Sequence, residues 1–381
     1  MLPCALLAAC ARENADVNIC AQHADAGAAL DACSRAIASG RLSPSKLATT
    51  LYHRGLAYQR GGDPDLAIQD FDRVIELRPE TSKAFYNRAM ANLSKGEFER
   101  AIPDFDRTVR LTPDYAPAFR NRGNAYRGTL AFDRAIQDFD EAIRLSPEYA
   151  VAFTNRGVAY LNKATYDRAI QDFDRAIHLK PDEGLAYRGR GVAHYDTGAF
   201  ERAAADFARS AGLRAGDPYL AIRLFLAESR IGVDAAAGLR GRASGLDLET
   251  WPGHVIPMYL GEASVDHVIE AAKRTSPRMQ REALCEAYYY VGHGLAIRGQ
   301  ADRAVGMFRA AVAAGPTSAV EHAGARAAPR ALTGAGQAEL KARSRAWERS
   351  AIRSSASSMP TAKRIRLSLM PTWRRSSLVS S

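Results

Sequence analysis

APAFRNRGNAYRGTLAFDRAIQDFDEAIRLSPEY, residues Ala116 to Tyr149, is followed without a gap by AVAFTNRGVAYLNKATYDRAIQDFDRAIHLKPDE, residues Ala150 to Glu183. The two strings repeat with a period of 34 residues, and a period between about 20 and 50 residues implies a stack of like supersecondary units before any other fold. The same register extends outward to Ala48–Thr81, Ser82–Tyr115 and Gly184–Asp217, so five copies abut. Within a copy, apolar residues recur at helical spacing in two runs, Phe119, Gly123 and Tyr126, then Ala135, Phe139 and Ala142, which reads as helix, turn, helix. Gly55, Ala89, Gly123, Gly157 and Gly191 form a column that stays small where the second helix packs against the first. Ala67, Ala101, Ala135, Ala169 and Ala203 are the matching small column, and Phe71, Phe105, Phe139, Phe173 and Phe207 fill the space between one pair and the next. Pro79, Pro113, Pro147 and Pro181 end the second helix, because proline's ring and missing N–H oppose its continuation.

These small, aromatic and proline columns resemble the tetratricopeptide repeat. The resemblance implies an all-α fold, a tetratricopeptide-repeat solenoid in which antiparallel helix pairs form a right-handed superhelix with a concave groove lined by first helices. Three positions depart from the pattern. Asn92 stands where other copies have Tyr or His, Pro103 falls inside a second helix, and Ala215 replaces the terminal proline. Pro103 is expected within the first turn or so, where proline is tolerated, with at most a local distortion.

The formal charge of +10 is concentrated at one end. Residues 328–381 carry eleven Lys or Arg against Glu339 and Glu348, so the rest of the chain is close to neutral. This tail is rich in Ser, Arg and Ala and has no repeat columns, and it reads as basic, low-complexity and disordered. A basic arm for nucleic acid or anionic lipid and an out-of-frame terminus are the other readings of it; a nucleic-acid partner is not expected. At the other end, residues 1–19 form an apolar leader too short to span a bilayer. Leu7-Ala8-Ala9-Cys10 resembles the lipobox of bacterial lipoproteins, which implies lipidation at Cys10. A truncated signal peptide and a plain cytosolic start remain open beside it. Residues 20–47 read as degenerate capping helices, and Cys20 and Cys33 flank one of them as a candidate disulfide that an oxidising compartment would permit. Cys285 has no evident partner.

Residues 48–217 hold the five tandem units, and residues 218–284 are a degenerate helical region. Over residues 285–318 the columns return as Tyr288, Gly292, Leu295, Gly299, Ala304, Phe308, Ala311 and Pro316, a sixth unit. The order of DPY and LFLAES (Asp217 to Ser229), Trp251, YLG (Tyr259 to Gly261), CEAYYYVGHGLAIRGQADRAVGMFRAAVAAG from Cys285, and Val320-Glu321-His322 resembles the NlpI-type lipoproteins of bacterial envelopes. That resemblance, over about residues 48 to 325, implies a non-enzymatic adaptor that docks murein-processing enzymes and proteases, often as a homodimer. It also implies a cell-envelope location, periplasmic or held to a membrane only through a lipid anchor. The alternative is a cytoplasmic peptide-binding co-chaperone or regulatory scaffold.

No catalytic constellation assembles from the sequence. The eight His are scattered, and HExxH, GxSxG and Walker-type loops are absent, as are CxxC pairs with metal-ligand spacing. No enzyme activity, cofactor or metal is expected. One charge column recurs in every unit, Arg54, Arg88, Arg122, Arg156 and Arg190, with a matching column Asp70, Asp104, Asp138, Asp172 and Asp206. Arginine stems packed between helices with their guanidinium groups on carboxylates of a neighbouring helix are the structural reading; a ligand-binding arginine ladder is the sharper one. The groove face should carry Tyr52, Tyr86, Asn87, Arg120, Asn121, Asn124, Arg127, Thr154, Asn155 and Arg188. Asparagines suit the backbone of an extended peptide, and the arginines favour an acidic or carboxylate-ended one, so other proteins are the expected partners. Arg120, Asn124 and Asn155 partly resemble the carboxylate clamp of chaperone-binding tetratricopeptide domains, although Leu185 and Gly189 stand where that clamp needs further basic residues.

Overall fold

In the computed structural model, residues 15–21, 25–277, 279–314, 324, 325 and 328 are described. Cys10, Pro316, Val320-Glu321-His322 and the basic tail beyond Ala328 lie outside the described residues. All regular structure among the described residues is helical, and the chain divides into two units, residues 1–155 and 156–381.

The first unit opens with α1 (residues 15–21) and α2 (Ala26–Ala38). Three helix pairs follow: α3 (Pro44–Gly61) with α4 (Pro64–Leu77), α5 (Ser82–Lys95) with α6 (Phe98–Leu111), and α7 (Ala116–Gly128) with α8 (Phe132–Leu145). The start of α9 (Ala150–Asn162) closes the unit. From α2 to α8 each helix packs on the next. α3 begins four residues before the repeat register because Ser43 caps it, accepting from the Lys46 N–H at 3.3 Å, and Pro44 occupies its first position. Second helices stop two residues before their prolines, as in α4, which ends at Leu77 and leaves Arg78, out of the helical conformation, ahead of Pro79.

The small column lies where the second helix packs against the first, as expected, and what it meets there is the phenylalanine column. A Cβ on Gly123 would stand 2.7 Å from Phe139 Cε1, and one on Gly55 2.8 Å from Phe71 Cε1. The phenylalanine ring therefore lies against the glycine of its own pair as well as toward the next. Phe71, Phe105 and Phe139 are each fully buried. Pro103 sits at the sixth position of α6, in its second turn rather than its first. The helix runs on through it, with the ring exposed to solvent.

In the second unit, α10 (Tyr166–Leu179), α11 (Gly184–Asp196) and α12 (Phe200–Leu213) continue the pattern. A Cβ on Gly157 or Gly191 would lie 2.7 Å from the ring of Phe173 or Phe207, and one on Gly189 would lie 2.3 Å from Phe173. The turn between paired helices needs a left-handed residue, which Gly198 supplies at φ 84°. Ala164 fills the same column at φ 54°, as Leu130 does in the first unit at φ 62°. Four helices follow, α13 (Pro218–Ile231), α14 (Ala235–Ala243), α15 (Val255–Leu260) and α16 (Val265–Lys273), then the pair α17 (Gln280–Ile297) and α18 (Ala301–Ala313). This last pair repeats the glycine–phenylalanine contact, Gly292 against Phe308 at 2.8 Å for a Cβ. Its first helix starts five residues ahead of Cys285.

Polar groups inside this unit are tied to one another. Glu286 Oε2 accepts from Tyr219 Oη at 2.8 Å and from Trp251 Nε1 at 2.7 Å. Tyr259 Oη donates to the Tyr290 carbonyl at 2.8 Å, and Arg298 to the Met258 carbonyl at 2.6 Å. Tyr195 Oη and His293 Nδ1 are 3.1 Å apart. Burial, reinforced by Arg230 and Arg223, holds the His293 imidazole down to about 3.

Candidate functional site

The charge columns resolve into internal ion pairs. Arg54, Arg88 and Arg122 each clasp the aspartate 16 residues on through Nε and Nη2, at 2.6 to 2.8 Å. Arg156 and Arg190 do the same in the second unit at 2.6 to 2.9 Å. Bidentate pairing places each guanidinium between the two helices of its repeat. Arg88 and Arg122 also reach back to the preceding repeat, to Asp72 at 2.5 Å and Asp106 at 2.7 Å. These arginines are structural, and a ligand must look to others.

On the first-helix face of the first unit, a second ladder runs between repeats. Asn87 Nδ2 donates to Tyr52 Oη at 2.9 Å, and one repeat later Asn121 Nδ2 donates to Tyr86 Oη at 2.8 Å. Tyr52 and Tyr86 occupy one column of the repeat, and the third member of that column is Arg120. Arginine has no acceptor to offer, so the ladder ends there. The Arg120 guanidinium instead lies 5.6 Å over the Tyr149 ring. Its Nε is buried with no hydrogen-bond partner, and the same holds for Asn124 Oδ1, one turn further along α7. Arg127 continues that face, since positions 120, 124 and 127 are neighbours on a helix surface.

Beside this cluster lies a cavity of about 500 Å³ within the first unit. Tyr52, Tyr86 and Tyr115 wall it, Ser82 and Thr112 line it between them, and Lys83, Asn87 and Asp114 also border it. The Tyr86 and Tyr115 rings meet edge to face with centroids 5.3 Å apart. Thr112 Oγ1 donates to the Thr108 carbonyl at 2.9 Å, so in its 2.8 Å contact with Ser82 the serine must be the donor. Burial, then the adjacent Tyr115, push the Tyr86 phenol up to about 12, and burial raises Tyr52 too. Both phenols stay protonated at neutral pH and keep their donor capacity.

The residues expected on the groove are thus divided. Tyr86, Asn87, Arg120, Asn124 and Arg127 share one face of the first unit. Asn121 is buried, 2% exposed, and its amide holds the tyrosine ladder. Thr154 is buried as well, its hydroxyl donating to the Ala150 carbonyl at 3.2 Å. Asn155 is half-buried at the last position of the unit. Arg188 belongs to the second unit, where Nη1 lies 4.0 Å from Asp217 Oδ2. Sequence reasoning missed Tyr115, Ser82, Lys83, Thr112 and Asp114, which lie at or near the turns between pairs. The one signal was Tyr115 itself, a large aromatic following Pro113-Asp114 where the previous copy has Thr81.

At the amino-terminal end Cys20 and Cys33 are joined in a disulfide. Arg35 binds Asp16 at 2.7 Å, a second tie between α2 and α1. Among the described residues no three His, Cys, Asp or Glu gather as a metal site, and no helix is long and apolar enough to cross a membrane.

The tetratricopeptide repeat family profile matches residues 52–116, 120–184 and 154–218. Residues 52 to 218 are tetratricopeptide repeats. A lipoprotein NlpI homolog of Haemophilus influenzae is 32% identical over 100 residues, which are 26% of this chain and 32% of that protein. The chain therefore spans about a third of the length of this curated relative. Among solved structures, Pseudomonas aeruginosa PilF is 15% identical with a TM-score of 0.47, covering 53% of this chain and 90% of its own. MamA is 24% identical with a TM-score of 0.41, covering 44% of this chain and 92% of its own.

Proposed function

We propose, from the premise that residues 52 to 218 are tetratricopeptide repeats, that this chain is a non-enzymatic adaptor holding an extended segment of a partner protein on the first-helix face of its first unit. The observation that carries this reading is Arg120. It stands where the preceding repeats place a ladder tyrosine, and it stacks on Tyr149. Its Nε and the nearby Asn124 Oδ1 are left without partners. Arg120 and Asn124, one turn apart on α7 and both half-buried, are a donor and a donor–acceptor of the kind that pair with the carbonyl and N–H groups of an extended peptide. The positive charge favours a carboxylate on that peptide.

The setting we propose is the bacterial cell envelope. The Cys20–Cys33 disulfide supports it, because such bonds persist in oxidising compartments. The identity to a lipoprotein homolog points the same way. Lipidation at Cys10 and pairing of two copies belong to the same proposal; radiolabelled palmitate incorporation and sedimentation of the purified chain test them.

The binding test is a partner recovered from bacterial envelope extract by the full chain, then titrated against wild type and Arg120→Ala. Loss of a charge-assisted hydrogen bond costs about 1.5 to 3 kcal/mol, so binding should weaken roughly ten- to hundred-fold. Equal binding by both proteins, with loss only when residues 251 to 314 are altered, would move the site to the carboxy-terminal helices.

A further inference from the structure

The tyrosine-walled cavity is built for more than backbone. Its three phenol rings offer edges and faces against which another ring packs in offset or edge-to-face geometry. A volume of about 500 Å³ admits a large side chain together with its flanking backbone. Asn87 uses both amide protons, on Tyr52 Oη and on the Lys83 carbonyl, each at 2.9 Å. Its side-chain Oδ1 is left as an acceptor, and the Tyr52 hydroxyl, which accepts from Asn87, keeps its proton to donate. The walls are thus aromatic, with a few polar groups to fix orientation.

Lys83 and Asp114 border the cavity with opposite charges, and Arg120, on the next first helix, adds a positive charge beyond it. α5 and α7, which carry Tyr86 and Arg120, pack on each other. Axes of packed helices are about 8–10 Å apart, the reach of about three residues of extended chain.

Resting on the adaptor reading above, we propose that the cavity receives an aromatic side chain of the bound protein segment and that a carboxylate about three residues away on that segment closes on Arg120. The cavity sets which segments bind, and the arginine sets their register.

A random dodecapeptide library displayed on phage, panned against the full chain, tests this. The selected peptides should be enriched in an aromatic residue with Asp or Glu about three positions from it. Two variants then separate the parts: Ser82→Trp fills the cavity, and Tyr115→Ala removes a wall at a residue 41% exposed, where folding should tolerate the change. A synthetic copy of the most enriched peptide should bind Tyr115→Ala about ten-fold more weakly. It should bind Ser82→Trp more weakly still, with the melting curve of Tyr115→Ala near that of wild type. Peptides that depend on Arg120 but show no aromatic preference, or that bind both cavity variants as well as wild type, would overturn the cavity inference and leave the adaptor reading standing. No selection by wild type, or peptides indifferent to Arg120→Ala and to both cavity variants, would overturn the two together.

Discussion

At Gly123 two effects of opposite sign compete. A helix interior favours alanine over glycine by about 0.5–1 kcal/mol, but here the added Cβ would meet Phe139 Cε1 at 2.7 Å. Phe139 is fully buried and has nowhere to retreat, so the steric effect should win. Gly123→Leu is expected to destabilise the first unit by about 3 kcal/mol, read as a lowered midpoint in urea unfolding. His293 gives a pH dependence whose sign follows from its burial. Its native pKa is depressed from 6.5 to about 3, so between those values the unfolded chain takes up a proton that the folded chain refuses. Stability from this residue is therefore full above about pH 6.5 and declines as pH falls through that window, by about 2 kcal/mol at pH 5 relative to pH 7.5. His194, also lowered mainly by burial, acts in the same direction. His293→Gln cannot titrate and should show a flatter decline over the same interval when urea unfolding is followed by circular dichroism. A wild type whose stability is equal at the two pH values would show that the imidazole is not held neutral.

Among the helices, α6 carries the clearest defect. Pro103 at its sixth position has no N–H for the Glu99 carbonyl, and its ring faces solvent, so no packing is gained in return. Three other repeats place glutamine in this column, Gln69, Gln137 and Gln171. Pro103→Gln should stabilise the first unit by about 2 kcal/mol, the interior helix penalty of proline less what its stiffness removes from the unfolded chain. A lower melting temperature would show that the proline has a role in shaping the helix. Helix pairs were legible because period, glycine and phenylalanine report packing directly. Helix starts were less so: the register placed the first unit at Ala48, whereas Ser43-Pro44, a capping signal present in the sequence, starts α3 at Pro44. For the candidate site, spacing put Tyr86, Arg120, Asn124 and Arg127 on one helical face. It could not show that Asn121 and Thr154 are buried, since that depends on what the adjacent helix brings across. Nor did it find Asp114 and Tyr115, because the periodic mark on the turns between pairs is the proline, and the residue two places after it varies from copy to copy, Thr81, Tyr115, Tyr149 and Glu183.

For the molecule as a whole, the compartment can be tested through its cysteines. If the chain is exported, thiol labelling of denatured but unreduced protein taken from cells should leave Cys20 and Cys33 unmodified while Cys285 reacts. Labelling of all three would place it in a reducing compartment. The arginine–aspartate clasps bear on a different property of the chain. Each closes across 16 residues inside a single repeat, well short of the 34-residue period. Breaking a buried pair by losing one member costs about 3–5 kcal/mol, whereas losing both together costs far less. The array therefore has a phase, much as a coding sequence has a reading frame. Within residues 48–217, gain or loss of 34 residues, wherever the cut falls, keeps the spacing of every clasp and every glycine–phenylalanine contact that remains. Gain or loss of half that number sets buried aspartates opposite the wrong helix. Length in this protein is free to vary only in whole steps, and genomes that lengthen or shorten it should do so by a multiple of one repeat.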